Sequence, residues 1–199
     1  MKLTITQHLK HGLQDSLATF KWFERFFAIF CITIPLILRL TDKCENGGYY
    51  QGWRESISDY VYMWHNYVFG MLLGMAAMLF IFNGAVYFRN EDKQRLDLDK
   101  SGKWYNIVLG TCLLGVLVLP WKQHEIIHFI FAGTFFAGNA LVTIIFHKKQ
   151  HRYWNVIFGI LTVVALAMHF TPWFPWLTLF WAEWVSLTVV GIHFFIEAL

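Results

Sequence analysis

Charge is what this chain has least of. Asp, Glu, Lys and Arg make up 15% of its 199 residues, against roughly 25% in soluble domains. The formal net charge of +3 is too small to point to nucleic acid as a partner. Cysteine is scarce too: Cys31, Cys44 and Cys112 include no CxxC pair, which argues against a disulfide framework. No signal peptide is expected at the start. Met1 to Asp15 is mostly polar, with no small-residue cleavage site behind an apolar core, so the first apolar run would itself serve as a signal anchor. No HExxH motif occurs, and the middles of the apolar runs carry almost no charge, which argues against a transport pathway through the full membrane.

What the chain does have is apolar surface. Hydrophobic residues reach 57%, with 20 Phe and 10 Trp, and the mean hydropathy is +0.45. A soluble core of this size has no room for so much, so the bilayer acts as the solvent. Six apolar runs stand out, at about 20–40, 60–88, 104–120, 125–146, 153–170 and 175–198. They lack the alternation of barrel strands, which leaves helices. The expected fold is an all-α integral membrane protein, a single six-transmembrane-helix domain over residues 1–199, without linker or repeat. Gly70 and Gly74, with Ala77 beyond them, read as a close helix contact within the bundle.

Orientation follows from the basic residues. Lys2, Lys10, Lys21 and Arg25, then Arg89, Lys93, Arg95, Lys100 and Lys103, then Lys148, Lys149 and Arg152 fall on one side, against Arg39, Lys43, Arg54 and Lys122 on the other. Both termini are therefore expected in the cytoplasm. Of the inner-side histidines, His193 is placed to pair with Glu197, while His147 and His151 sit among lysines that suit anionic headgroups.

That topology gathers polar residues at the outer end. Asp59, His65, His124, Glu125, His128, His169 and Glu183 come from four helix ends. An ionisable group within lipid costs a few kcal/mol or more and needs a partner. Glu183 has mostly apolar and aromatic neighbours in its own segment. His124 and His128 stand four apart, a spacing that suits two ligands of one metal. Three occupants fit this pattern. One is a zinc ion held by His65, His124, His128 and His169, with Asp59 or Glu183 as ligand or general base for hydrolysis. Another is a hydrogen-bonded network without metal, in which Asp59 and Ser56 act as helix N-caps. A third is a haem between two of His65, His128 and His169.

Ser-Ile-Ser-Asp-Tyr at 56–60, Leu-Gly-Val-Leu-Val-Leu-Pro at 114–120 and Phe-Ala-Gly-Thr-Phe-Phe at 131–136, behind His128, resemble the bacterial six-span membrane proteins of unknown function related to the DRAM/Frag/Sfk-type family. That resemblance implies six helices, a polar extracytoplasmic end and a place in the bacterial inner membrane. Lipid handling by some relatives implies a lipid-like ligand. By analogy, Ser56 or Ser58 with Asp59, His65, His124 and His128 are also similar to the zinc site of membrane hydrolases such as alkaline ceramidases, although those have seven helices with the HxxxH pair on the last. The expected function is binding or metal-assisted hydrolysis of a lipid-like ligand in an outward-facing pocket. The alternative is a non-enzymatic lipid sensor or complex subunit. Nothing in the chain sets an oligomeric state.

Overall fold

In an apolar solvent each backbone N–H and C=O has to be satisfied within its own segment, and a helix does this. The structure, a computed structural model, describes residues 5–86, 103–146, 151–171 and 173–197, with backbone alone for 5–20 and 197. Among these residues the regular structure is helical, without a strand. The elements are α1 (Ile5–Thr41), a 3-10 helix (Ser58–Tyr62), α2 (Asn66–Val86), α3 (Tyr105–Val118), α4 (Glu125–Ile145), α5 (Arg152–His169) and α6 (Leu179–Glu197). Four of them, α2, α4, α5 and α6, are long and apolar enough to cross a membrane, which marks the chain as a membrane protein. The apolar α3 is shorter, at 14 residues.

Two elements differ from the sequence expectation. Helix α1 starts well before residue 20 and runs for 37 residues, about 55 Å at the usual rise. Residues 5–19 hold no proline and only Gly12 to oppose helix. The second run is not one long helix. Ser56 and Asp59 start a separate 3-10 turn, Met63 is extended at ψ 157°, and α2 begins at Asn66.

The helices form a closed ring. Each packs against its neighbours in sequence, α1 closes against α6, and α4 also touches α6. The loop 42–65, the α3–α4 turn and the α5–α6 turn share one end, here termed the loop end. The bundle is centred on Phe27, Phe80 and Phe194, whose rings meet edge to face at 5.3–5.6 Å, with Phe135 against Phe80 at 5.5 Å. Offset geometry of this kind adds to the burial of the rings themselves.

Close approaches are made by glycines other than the expected pair. A Cβ on Gly191 would lie 2.8 Å from the Ala28 carbonyl of α1, and one on Gly110 would lie 2.7 Å from the Ala77 carbonyl of α2. Gly70 has nothing within 4 Å and Gly74 meets only Leu117 at 3.7 Å, so Gly70–Gly74 is not the tight contact that its spacing suggests. Thermal unfolding in detergent separates the two classes. Gly191→Ala is expected to lose several degrees in Tm because backbone has to move. Gly70→Ala is expected to be neutral or to gain a little from helix propensity. Equal effects would contradict this account of the packing.

Candidate functional site

The loop 42–65 is built around one ion pair. Asp42, fully buried just past α1, accepts from Arg54 Nε and Nη2, both at 2.8 Å. This two-pronged arrangement is the strong form of a carboxylate–guanidinium contact. The guanidinium also lies over Tyr50 at 4.7 Å and Tyr60 at 5.6 Å. The chain between them turns at Cys44–Gly48, where Gly47 takes φ 81°, a conformation that suits glycine. Burial pushes the Tyr60 phenol up to about 12. Trp53 then packs on Phe180, Trp181 and Trp184 of α6 at 4.9–5.5 Å.

The next residues clasp α6. The Phe180 N–H donates to the Glu55 carbonyl at 2.7 Å, and the Ile57 N–H donates to Glu183 Oε2 at 2.6 Å. The first bond satisfies a donor that a helix N-terminus leaves open. The second gives the buried Glu183 a partner. Ser56 and Asp59 exchange bonds: the Asp59 N–H donates to Ser56 Oγ and the Ser56 N–H to Asp59 Oδ2, each at 3.1 Å. This is the reciprocal pattern of a capping box, with Ser56 as the cap and Asp59 reaching back. Asp59 Oδ1 accepts from Trp121 Nε1 at 2.7 Å, which ties the α3–α4 turn to the loop, and the hydroxyls of Ser56 and Ser58 share a bond of 3.0 Å.

Above this floor opens a cleft of about 380 Å³. Its polar lining comes from Glu55, Ser56, Ser58, Asp59, His169, Thr171 and Thr178, and its apolar wall from Trp121, Phe129, Phe174, Pro175, Leu177 and Leu179. Beneath the floor lies a chamber of about 30 Å³, lined by Glu183 and Ser58 and otherwise by apolar residues of α1, α2, α3, α4, α6 and the loop. Its size suits a single water.

Of the six residues expected to share a site, two line the cleft: Asp59 and His169. Glu183 faces the chamber instead. His128 is 2% exposed and its Nδ1 lies 2.7 Å from the Leu119 carbonyl, while His169 Nδ1 lies 3.2 Å from the Leu177 carbonyl. A carbonyl only accepts, so Nδ1 carries the proton in both. His65 rests edge-on to Tyr67, and His124 is exposed ahead of α4, which starts at Glu125. The HxxxH pair therefore straddles a helix start, with one ring buried and the other in the open. Among the described residues no three His, Cys, Asp or Glu side chains come together as a metal site. The zinc shell of His65, His124, His128 and His169 is thus not assembled.

The opposite end holds a polar cluster that the sequence reading overlooked. Asn83 Nδ2 donates to Glu24 Oε1, which also pairs with Lys103 Nζ at 3.3 Å, and Asn106 Nδ2 donates to Asn83 Oδ1 at 2.7 Å. All four side chains are buried. The available signal was Glu24, an acid inside an apolar run, where a partner is required. His193 meets Asn155 Oδ1 at 3.1 Å. Its expected partner Glu197 lies outside the described side chains, as do His8, His11, His147, Lys148, Lys149 and the charges of the loop from Arg89 to Lys100.

Among known proteins, the model of a family of unknown function (DUF7103) matches residues 33–198. No curated protein and no solved structure matches. Nothing in these matches supports the DRAM/Frag/Sfk-type likeness.

Two stability measurements follow from the loop. Arg54→Ala leaves Asp42 buried without its partner and is expected to cost about 3–5 kcal/mol. The double variant with Asp42→Ala is expected to recover part of that, and strict additivity in the unfolding cycle would sink the pairing. For Tyr60, the unfolded phenol ionises near its ordinary value of 10 and the folded one only near about 12. Stability is therefore fully present below pH 10 and falls between pH 10 and 12. Tyr60→Phe is expected to lose less Tm than the parent between pH 9 and pH 11.

Proposed function

We propose, for a chain that belongs to the DUF7103 family of unknown function, that it is a six-span protein of an inner or plasma membrane whose outward-facing cleft binds a lipid-like ligand. The single observation that carries this reading is the cleft itself. It is about 380 Å³ and is lined by polar residues together with aromatic and aliphatic ones, the mixture that suits an amphiphile. It opens at the loop end, where both the bilayer interface and its lipids lie within reach.

The six spans are supported by the ring. α1 and α3 pack between membrane-length neighbours, and an even number of antiparallel helices returns both termini to one side. The basic residues support a cytoplasmic location for that side.

Binding is favoured over hydrolysis by the state of the polar groups. Both Asp59 oxygens already accept hydrogen bonds, and Ser56 and Ser58 pair with each other. Among the described residues neither serine is hydrogen-bonded to a histidine, so no activated nucleophile is in place.

Photolabelling tests the site. An uncharged amphiphile with a photoreactive tail, in nanodiscs, is expected to label peptides around Trp121–Phe129 and His169–Leu179. Leu177→Trp is expected to cut that labelling about five-fold by filling the wall. Labels spread evenly over lipid-facing helices, unchanged in the variant, would refute a binding cleft. Topology is tested separately with single cysteines. Asn46→Cys and Gln123→Cys should react with an impermeant thiol reagent from outside intact cells, and Lys93→Cys only after lysis. Any other pattern rejects the orientation.

A further inference from the structure

The cleft is rich in hydrogen-bond acceptors and poor in donors. Among the described residues no Lys or Arg lines it. The Trp121 N–H is already given to Asp59, the Thr171 hydroxyl to the Met168 carbonyl, and His169 Nδ1–H to the Leu177 carbonyl. One hydrogen of the Ser56–Ser58 pair is used between the two hydroxyls. Among the described lining side chains, what remains to donate is the other serine hydrogen and the Thr178 hydroxyl.

Against these stand the acceptors. Glu55 is exposed, and its backbone rather than its carboxylate is used to hold α6. Asp59 accepts two bonds and keeps further lone pairs. His169 presents an unprotonated Nε2 in its neutral form, since Nδ1 holds the proton. Trp121, Phe129 and Phe174 add ring faces of the kind that attract cations. Lys122 is near but exposed, with Nζ 4.3 Å over the Tyr62 ring.

We infer that the amphiphile bound here carries a protonated amine head. This rests on the reading that the cleft binds an amphiphile, and adds the chemistry of the head. An ammonium brings N–H donors and positive charge to Glu55, Asp59 and His169, while its chain lies along Phe129, Phe174, Leu177 and Leu179. A carboxylate or phosphate head would meet two carboxylates and no lining cation, an arrangement that costs free energy on both charge and unmet acceptors. The amine has two chemical sources, a free long-chain amine and an amine-headed membrane lipid.

Competition against the uncharged photoreactive amphiphile, in phosphatidylcholine nanodiscs, tests this. The probes are dodecylamine, dodecanol and dodecanoate at one chain length, with phosphatidylethanolamine doped into the disc as a further arm. Dodecylamine is expected to displace the label at a concentration at least about ten-fold below dodecanol, with dodecanoate weakest. Glu55→Gln, which touches no structural hydrogen bond, is expected to reduce the amine's advantage over dodecanol about five-fold. Displacement by phosphatidylethanolamine assigns the amine to the membrane, and displacement by dodecylamine alone assigns it to a free amine. Equal competition by all three heads overturns the amine inference while leaving the cleft as a binding site. Preference for dodecanoate, or an unchanged amine advantage in Glu55→Gln, also overturns it. If none of the probes competes and labelling is diffuse, the cleft reading falls with it.

Discussion

A carboxylic acid set inside a membrane helix has to be given a hydrogen-bond donor, and Glu183 receives its donor from the backbone of Ile57. Most of the loop end depends on that requirement. Because the donor belongs to the loop, the loop must come down onto α6, where the Phe180 N–H takes the Glu55 carbonyl as a second fastening. Trp53 then finds its aromatic neighbours, and Ser56, Ser58 and Asp59 become the floor of the cleft. Asp59, held by Ser56, is left with an oxygen for Trp121, which draws in the α3–α4 turn. A single buried acid thus bears on where the loop and the α3–α4 turn meet α6.

Among the described residues, buried polar side chains gather in two main groups. One is the loop end. The other is the cluster of Glu24, Asn83, Lys103 and Asn106, with His193 and Asn155 near it. By position along α1 and α2, the rings of Phe27 and Phe80 stand on the loop side of Glu24 and Asn83, and both meet Phe194 beside His193.

The all-helical architecture was legible because hydropathy over about twenty residues reports a physical requirement directly, and four membrane-length helices fall where the apolar runs lie. The split of the second run was harder to see. Ser-Ile-Ser-Asp has the signature of a cap, but the extended Met63 behind it has no local signal. Asp59 and His169 line the cleft, where helix ends on one side converge. His65, His124 and His128 do not line it, for a definable reason. Topology sets the end of the bundle a residue belongs to but not the direction in which it faces, and His128 faces a carbonyl of its own turn region. Asp42 and Arg54 were not paired in advance because they stand twelve positions apart across a loop, and no periodicity operates over a loop.

The ring of helices has a consequence for how the protein is made. Five of the six seams of the ring join helices adjacent in sequence, so each can form as soon as a new helix follows its predecessor. The sixth seam, α1 against α6, joins the two ends of the chain. During synthesis α1 therefore waits with the Ala28 face bare until Gly191 arrives to cover it. The clasp on Ile57 and Glu55 waits as well, since both of its α6 partners emerge last. The cleft is completed only when α6 is in place, so a product that stops before α6 would leave the face of α1 around Ala28 uncovered.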